Sequence, residues 1–118
     1  MSKRPKLEKT IQAEIEAAIG AEPDFLLLRN AVGKATFYND EGKAYHSAFG
    51  LGTGSPDLVG ILGPHGRWLC LEVKVPGEEA EPHQEVCHQQ WRVFGALVYV
   101  VHSVDEARSA LTAARGAK

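Results

Sequence analysis

Asp57, Glu72 and Lys74 are the residues whose types and spacing could do chemistry. In Leu71-Glu72-Val73-Lys74, Glu72 and Lys74 stand two apart, so on a β-strand they project from one face while Leu69, Leu71, Val73 and Val75 project from the other. Trp68 and Cys70 continue the Glu72 face, which is therefore not simply solvated. A carboxylate and an ammonium with apolar neighbours on both faces need a partner or a metal. Asp57 stands fifteen residues before Glu72, and the turn Gly63-Pro64-His65-Gly66 between them predicts a hairpin that brings the two carboxylates together. Neighbouring carboxylates repel unless a cation lies between them, and hard oxygen ligands that leave water in the shell suit Mg²⁺ or Mn²⁺. With Lys74 alongside, the set has the parts for phosphodiester hydrolysis: a Lewis acid, an acidified water and a positive group near developing charge. Glu-x-Lys on a strand, taken alone, is an ordinary surface ion pair worth little. The combination with Pro56-Asp57 carries the reading.

Other elements must hold these residues in place. Residues 6–19 read as a helix, because Leu7, Ile11, Ile15, Ala18 and Ile19 recur at helical spacing, with Gly20 and Pro23 as the stop. Phe25–Leu28 reads as a short buried strand and Ala35–Tyr38 as a second, and the turn Asn39-Asp40-Glu41-Gly42 predicts a hairpin into Lys43–Ala48. After a glycine-rich loop over 49–56, strands are predicted at 57–62 and 67–75. A helix follows over 82–94, with Cys87, Trp91 and Phe94 on one face and Gly95 at its end. Leu97–Val101 is a continuous apolar run that suits a fully buried strand. Ser103 with Glu106 three residues on predicts a capping box opening a last helix to about Ala114. Helix, three or four meandering strands, helix, strand, helix predicts an α/β fold, one mixed sheet flanked by helices, as a single domain over residues 1–118.

Composition narrows the function class. Hydrophobic residues make up 44% and charged residues 24%, ordinary globular usage that supports one real core. A net charge of −2 argues against a protein that coats nucleic acid by bulk charge, yet acidic metal ligands lower the net charge of a nuclease as well. No run approaches the roughly 20 apolar residues of a membrane span. Cys70 and Cys87 have no CxxC spacing and sit in apolar patterns, which leads us to expect a reduced, cytoplasmic chain. The five histidines show no zinc spacing with either cysteine.

Pro56-Asp57 followed by Glu72-Val73-Lys74 resembles the PD-(D/E)XK nuclease signature. The wider set is similar to the VRR-NUC branch of that superfamily: Glu8-Lys9-Thr10-Ile11-Gln12, Arg29-Asn30, the run Gly50–Ile61, the Glu72-Val73-Lys74 strand, Gln84, and Gly95–Val101. The resemblance spans about residues 7 to 112. It implies an αβββαβ core, Mg²⁺ or Mn²⁺ dependence and hydrolysis of DNA. Small stand-alone members, many of viral origin, are associated with cutting Holliday junctions as dimers. This implies branched or four-way-junction DNA as partner, a homodimer, and the cytoplasm of a bacterial or phage-infected host cell as location.

By the same resemblance Asp57 and Glu72 match the metal ligands, with the carbonyl of Val73 as a further one; Lys74 matches the catalytic lysine and Glu8 the acid of the first helix. At about 100° per residue Glu8 falls roughly 20° from Ile15 and Ile19, inside the apolar stripe, whereas Glu14 and Glu16 lie further round. A first-turn acid favoured by the helix dipole is the plainer account of Glu8. Gln84 shares a helix stripe with Cys87 and Trp91; it either reaches Lys74, Glu72 and the metal's water or bonds backbone at the helix start. Arg29 and Lys34 are candidate contacts to the DNA backbone, and Gly52 and Gly54 candidate points of close approach to a phosphate; ordinary surface and loop positions are equally consistent. A sequence-specific restriction-type nuclease and a catalytically silent or partner-dependent DNA-binding module are the competing readings. The short chain disfavours the first, and the intact Asp57, Glu72 and Lys74 set the second.

Overall fold

The apolar periodicities translate directly into elements. The computed structural model describes residues 4–117, with side chains from residue 7 onward. Its order is α1 (Arg4–Ile19), β1 (Phe25–Arg29), β2 (Gly33–Tyr38), β3 (Ala44–Phe49), β4 (Leu58–Leu62), β5 (Arg67–Val73), α2 (Pro82–Val93), β6 (Leu97–Val101) and α3 (Val104–Gly116). β1, β4, β5 and β6 form one mixed sheet in that spatial order, antiparallel except for the parallel β5–β6 pair. This is the αβββαβ core, with α3 added at its end. The β2–β3 hairpin is not one of the meandering strands of that sheet; it stands outside as a separate two-stranded ribbon.

The two faces of the sheet differ. On one, α1 and α3 pack over Leu58, Leu69, Leu71, Val73 and Val101, closing the main core with Ile15, Ile19 and Leu111. Each such side chain contributes roughly 1.5–3 kcal/mol by leaving water. Gly60 is required here, because a Cβ at that position would run into the ring of Phe25 on the neighbouring strand. On the other face α2 covers a smaller cluster of Val59, Cys70 and Val98, with Trp91 and Ala96 against it. Both cysteines are free thiols. Phe94, expected to face inward, sits at the helix C-cap and is exposed, because the chain leaves helical geometry there to enter Gly95 at φ 101°. The buried residue of α2 is His88.

α3 begins as its sequence predicts at Ser103, whose Oγ accepts the N–H of Glu106 at 3.1 Å. The reciprocal half of the capping box is replaced. Glu106 Oε1 instead lies 2.8 Å from His102 Nδ1, and the other imidazole nitrogen lies 2.7 Å from the carbonyl oxygen of Glu78. A carboxylate and a carbonyl only accept, so both nitrogens must donate and the ring must be an imidazolium. The hydrogen bond to Glu106 above all raises the His102 pKa from its ordinary value. His102 thereby ties the loop after Val75 to α3. At the opposite end Arg115 grips Asp24 and Glu22, fastening α3 to the α1–β1 turn.

Because the folded-state pKa of His102 is raised, its stabilising contribution is complete below the unfolded value and disappears as pH rises through the folded one. The melting temperature of the wild type is expected to exceed that of His102→Leu by the widest margin near pH 6. The gap should narrow as the pH is taken above neutrality. Calorimetry of both chains across that range checks this; a constant or widening gap would contradict it.

Candidate active site

Asp57, Glu72 and Lys74 converge where the end of β5 meets the start of β4. Asp57 is the residue just before β4, and its Oδ2 accepts the N–H of Val73 at 2.8 Å. That bond brings the Asp57 carboxylate between the flanking Glu72 and Lys74, which share one face of the strand. Lys74 continues the pairing beyond β5, donating its N–H to the Val101 carbonyl at 3.0 Å. Glu72 is 2% and Lys74 8% exposed, so neither charge is solvated.

The consequence is electrostatic. Burial, foremost, and then the hydrogen bond and charge of Asp57 push the Glu72 carboxyl up to about 10; Lys74 pulls the other way and does not win. Two like charges about 4 Å apart repel by roughly 4 kcal/mol at an effective dielectric of 20, so without a cation the pair keeps a proton. Glu8 on α1 joins the same field. Burial and then Asp57 raise its pKa, Lys74 opposes, and Glu78 and Glu81 add to the rise. Glu16, by contrast, holds Arg29 through two bonds of 3.0 and 3.1 Å. The helical phase thus picks out Glu8 as the α1 acid facing the site.

His88 was not anticipated. Its side chain is fully buried, with Nε2 3.3 Å from Glu72 Oε1. Burial is the main influence lowering its pKa, which favours the neutral ring. Its Nδ1 has no hydrogen-bond partner among the described residues, and a polar atom left so costs about 1–3 kcal/mol. The signal was present: His88 lies four residues after Gln84 and three before Trp91, on the inward stripe of α2.

The donor set fits a hard divalent cation. Two carboxylates that cannot share a buried site as anions take either a proton or a cation. Among the described residues no three Asp, Glu, His or Cys side chains converge closely enough to hold an ion by themselves.

The comparisons agree with this arrangement. No family model and no curated protein matches the chain. A solved structure titled "VRR_NUC domain" is similar in fold and sequence, with a TM-score of 0.51 and 26% identity over 95% of this chain and 97% of that one. In fold and in sequence the chain is similar to this VRR-NUC domain. The match suggests a nuclease of the PD-(D/E)XK type.

The remaining predicted residues are more scattered. Gln84 caps its own helix: its Oε1 accepts the N–H of Glu81 at 2.8 Å. Arg29 is engaged by Glu16, and Lys34 is exposed on the β2–β3 ribbon. Gly52 and Gly54 both have positive φ, and a Cβ at Gly54 would crowd the His83 carbonyl and Cys87 on α2, so this loop packs against the helix. The residue that pins it is Asn30. Its Nδ2 donates to Ser55 Oγ and to the Pro56 carbonyl, each at 2.8 Å, and its Oδ1 accepts the N–H of Leu51 at 3.0 Å. Asn30 also donates its own N–H to the carbonyl of Asp57.

With its pKa raised, Glu72 must take up a proton on folding at neutral pH, a cost that an amide avoids and a common trade of stability against function. Glu72→Gln is expected to raise the melting temperature of the metal-free protein at neutral pH while abolishing any gain on adding Mg²⁺. Thermal denaturation with and without the ion tests both halves. A variant less stable than wild type, or one still stabilised by Mg²⁺, would show that Glu72 is not the strained member.

Proposed function

We propose that this protein is a metal-dependent, structure-selective DNA endonuclease that acts on branched DNA, four-way junctions above all, as a homodimer. The observation that carries the reading is the convergence of Asp57, Glu72 and Lys74, with Glu72 and Lys74 buried and the Asp57 carboxylate half-buried against the Val73 N–H. Such an arrangement adds little to stability and suits a divalent cation. Mg²⁺ or Mn²⁺ would be held by Asp57 and Glu72, with the Val73 carbonyl and Glu8 as further candidates. When bound it supplies Lewis acidity toward the phosphate and lowers the pKa of a coordinated water.

The chain's own residues do the rest. Lys74, with few water contacts of its own, holds positive charge where the phosphorane oxygens develop negative charge. Asp57, anchored by the Val73 N–H, keeps its carboxylate oriented. His88 beside Glu72 restrains that side chain from the helix side. In the reaction the water oxygen bonds to phosphorus as the ester P–O bond breaks. One water proton is lost to the surroundings and the leaving oxygen is protonated. A two-fold pair of chains supplies two such centres to two strands, matching the symmetry of a junction. The free thiols and ordinary composition support a reducing, cytoplasmic setting.

The test is cleavage of labelled four-way-junction, flap and plain duplex DNA with Mg²⁺, Mn²⁺ or EDTA. Paired cuts on the junction are expected with either metal and none with EDTA. Asp57→Ala and Lys74→Ala, folded by circular dichroism, are expected to cut at least 100-fold more slowly. Equal cutting of plain duplex would remove structure selectivity. Absence of cutting by a folded wild type that binds Mg²⁺ would turn the reading to a silent DNA-binding module.

A further inference from the structure

The β2–β3 ribbon has two different faces. Gly33, Ala35 and Phe37 are registered opposite Phe49, Ser47 and Tyr45, so these six share one side. Phe37 stacks on Tyr45 with ring centroids 5.6 Å apart, and the Phe49 ring lies over Gly33. The other side carries Lys34, Thr36, His46 and Tyr38. Alternation of this kind exists to bury one side, yet the ribbon makes no substantial packing contact with any other element. Phe37, Tyr45 and Phe49 remain 45–51% exposed. A lone two-stranded hairpin is marginal in water. The chain is accordingly elongated, 53 × 38 × 28 Å, with a radius of gyration of 15.9 Å against about 13.5 Å for a compact chain of this length.

The body carries a matching gap. α2 shields Cys70 and Val98 on β5 and β6 and Val59 on β4, and leaves the β1 side and the end of this face near the 63–66 turn open. There Leu26 of β1, Ile61 of β4 and Trp68 of β5 are in register with Leu28 beside them, 37–59% exposed, although one edge of Trp68 meets Trp91 of α2 with ring centroids 6.3 Å apart. Two neighbouring strands are as wide as a two-stranded ribbon, and stacked sheets pack about 10 Å apart through such side chains.

We propose that the ribbon is an exchanged arm whose Phe37–Tyr45–Phe49 side packs on the Leu26–Ile61–Trp68 face of a second copy of the chain, which returns the same contact. This rests on the homodimer reading above and adds the surface that makes it. Reciprocal contact is what a two-fold pair requires. Arm and receiving face together offer on the order of 700 Å² of apolar side chain per copy, close to the roughly 800 Å² per partner of a standard interface. A nucleic acid fits the arm poorly, since Asp40 and Glu41 at its tip offset Lys34 and Lys43 and leave little attraction for phosphate. The arm springs from Asn30, the same residue that pins the loop before Asp57, so docking it would also steady the catalytic carboxylate.

The experiment is sedimentation equilibrium of the full chain at micromolar concentration, with Phe37→Asp and Tyr45→Asp on the arm and Ile61→Asp on the receiving face. Circular dichroism checks that each is folded. A photo-crosslinker at position 45, in a mixture of isotopically light and heavy chains, maps the contact. A wild-type dimer, a dissociation constant raised at least 100-fold by each arm variant, and crosslinks from one copy's position 45 to the other's strands around Ile61 and Trp68 are expected. Should Ile61→Asp fail to fold, the arm variants and the crosslinks decide. Arm variants that stay dimeric overturn the proposal, also if they have lost junction binding, which would make the arm a DNA contact. Crosslinks elsewhere, or a monomeric wild type, overturn it too. The nuclease reading is scored separately, by metal-dependent cutting that Asp57→Ala removes.

Discussion

A glutamate and a lysine sit on a β-strand whose other face is solid core, and the chain adds a second carboxylate beside them. The repulsion between Asp57 and Glu72 in a nearly dry site is the constraint around which the structure is arranged. The Val73 N–H holds Asp57 in place against it, Lys74 offsets part of it, and His88 closes the helix side. None of these partners removes the conflict, because one lysine faces Asp57, Glu72 and Glu8 together. A site that keeps such a conflict gives up stability for affinity toward something that arrives from outside.

The rest of the fold keeps that conflict in position. The α1–α3 face is a conventional apolar core and provides most of the burial. It can therefore sustain a strand pair that carries charges on its other side. α2 covers only part of that second face, and it contributes the one buried histidine at the same time. Loop contacts finish the job: Asn30 knots the segment leading into Asp57, while His102 holds the segment leaving Lys74 against α3. The backbone before and after the strands of the candidate site is thus fastened at both sides by side chains outside that site.

The glycine-rich segment at 50–56 and the ribbon form one excursion between β1 and β4, and both spring from the same asparagine. Among the described residues, an apolar ribbon face with no element packed on it and an apolar sheet face that α2 covers only in part are two aspects of one arrangement. Among the described residues the sheet is covered fully on one side only, and an exposed apolar patch of this kind marks an interaction surface.

Much of this was legible in the sequence. The period-two pattern of Leu69–Val75 set Glu72 and Lys74 on one side, the turn at 63–66 brought Asp57 to them, and the helical phase of α1 singled out Glu8. These are local geometries, decided by backbone periodicity, so a string of residues suffices to read them. The partnerships were not legible. That Gln84 caps its helix while His88 takes the place against Glu72, that Glu106 leaves its capping box for His102, and that Arg29 is taken by Glu16 all depend on which long side chains meet in space. The ribbon's separation from the sheet has the same cause. Alternation says that a strand has an apolar side, but only the packing of the whole chain decides whether anything is left to cover it.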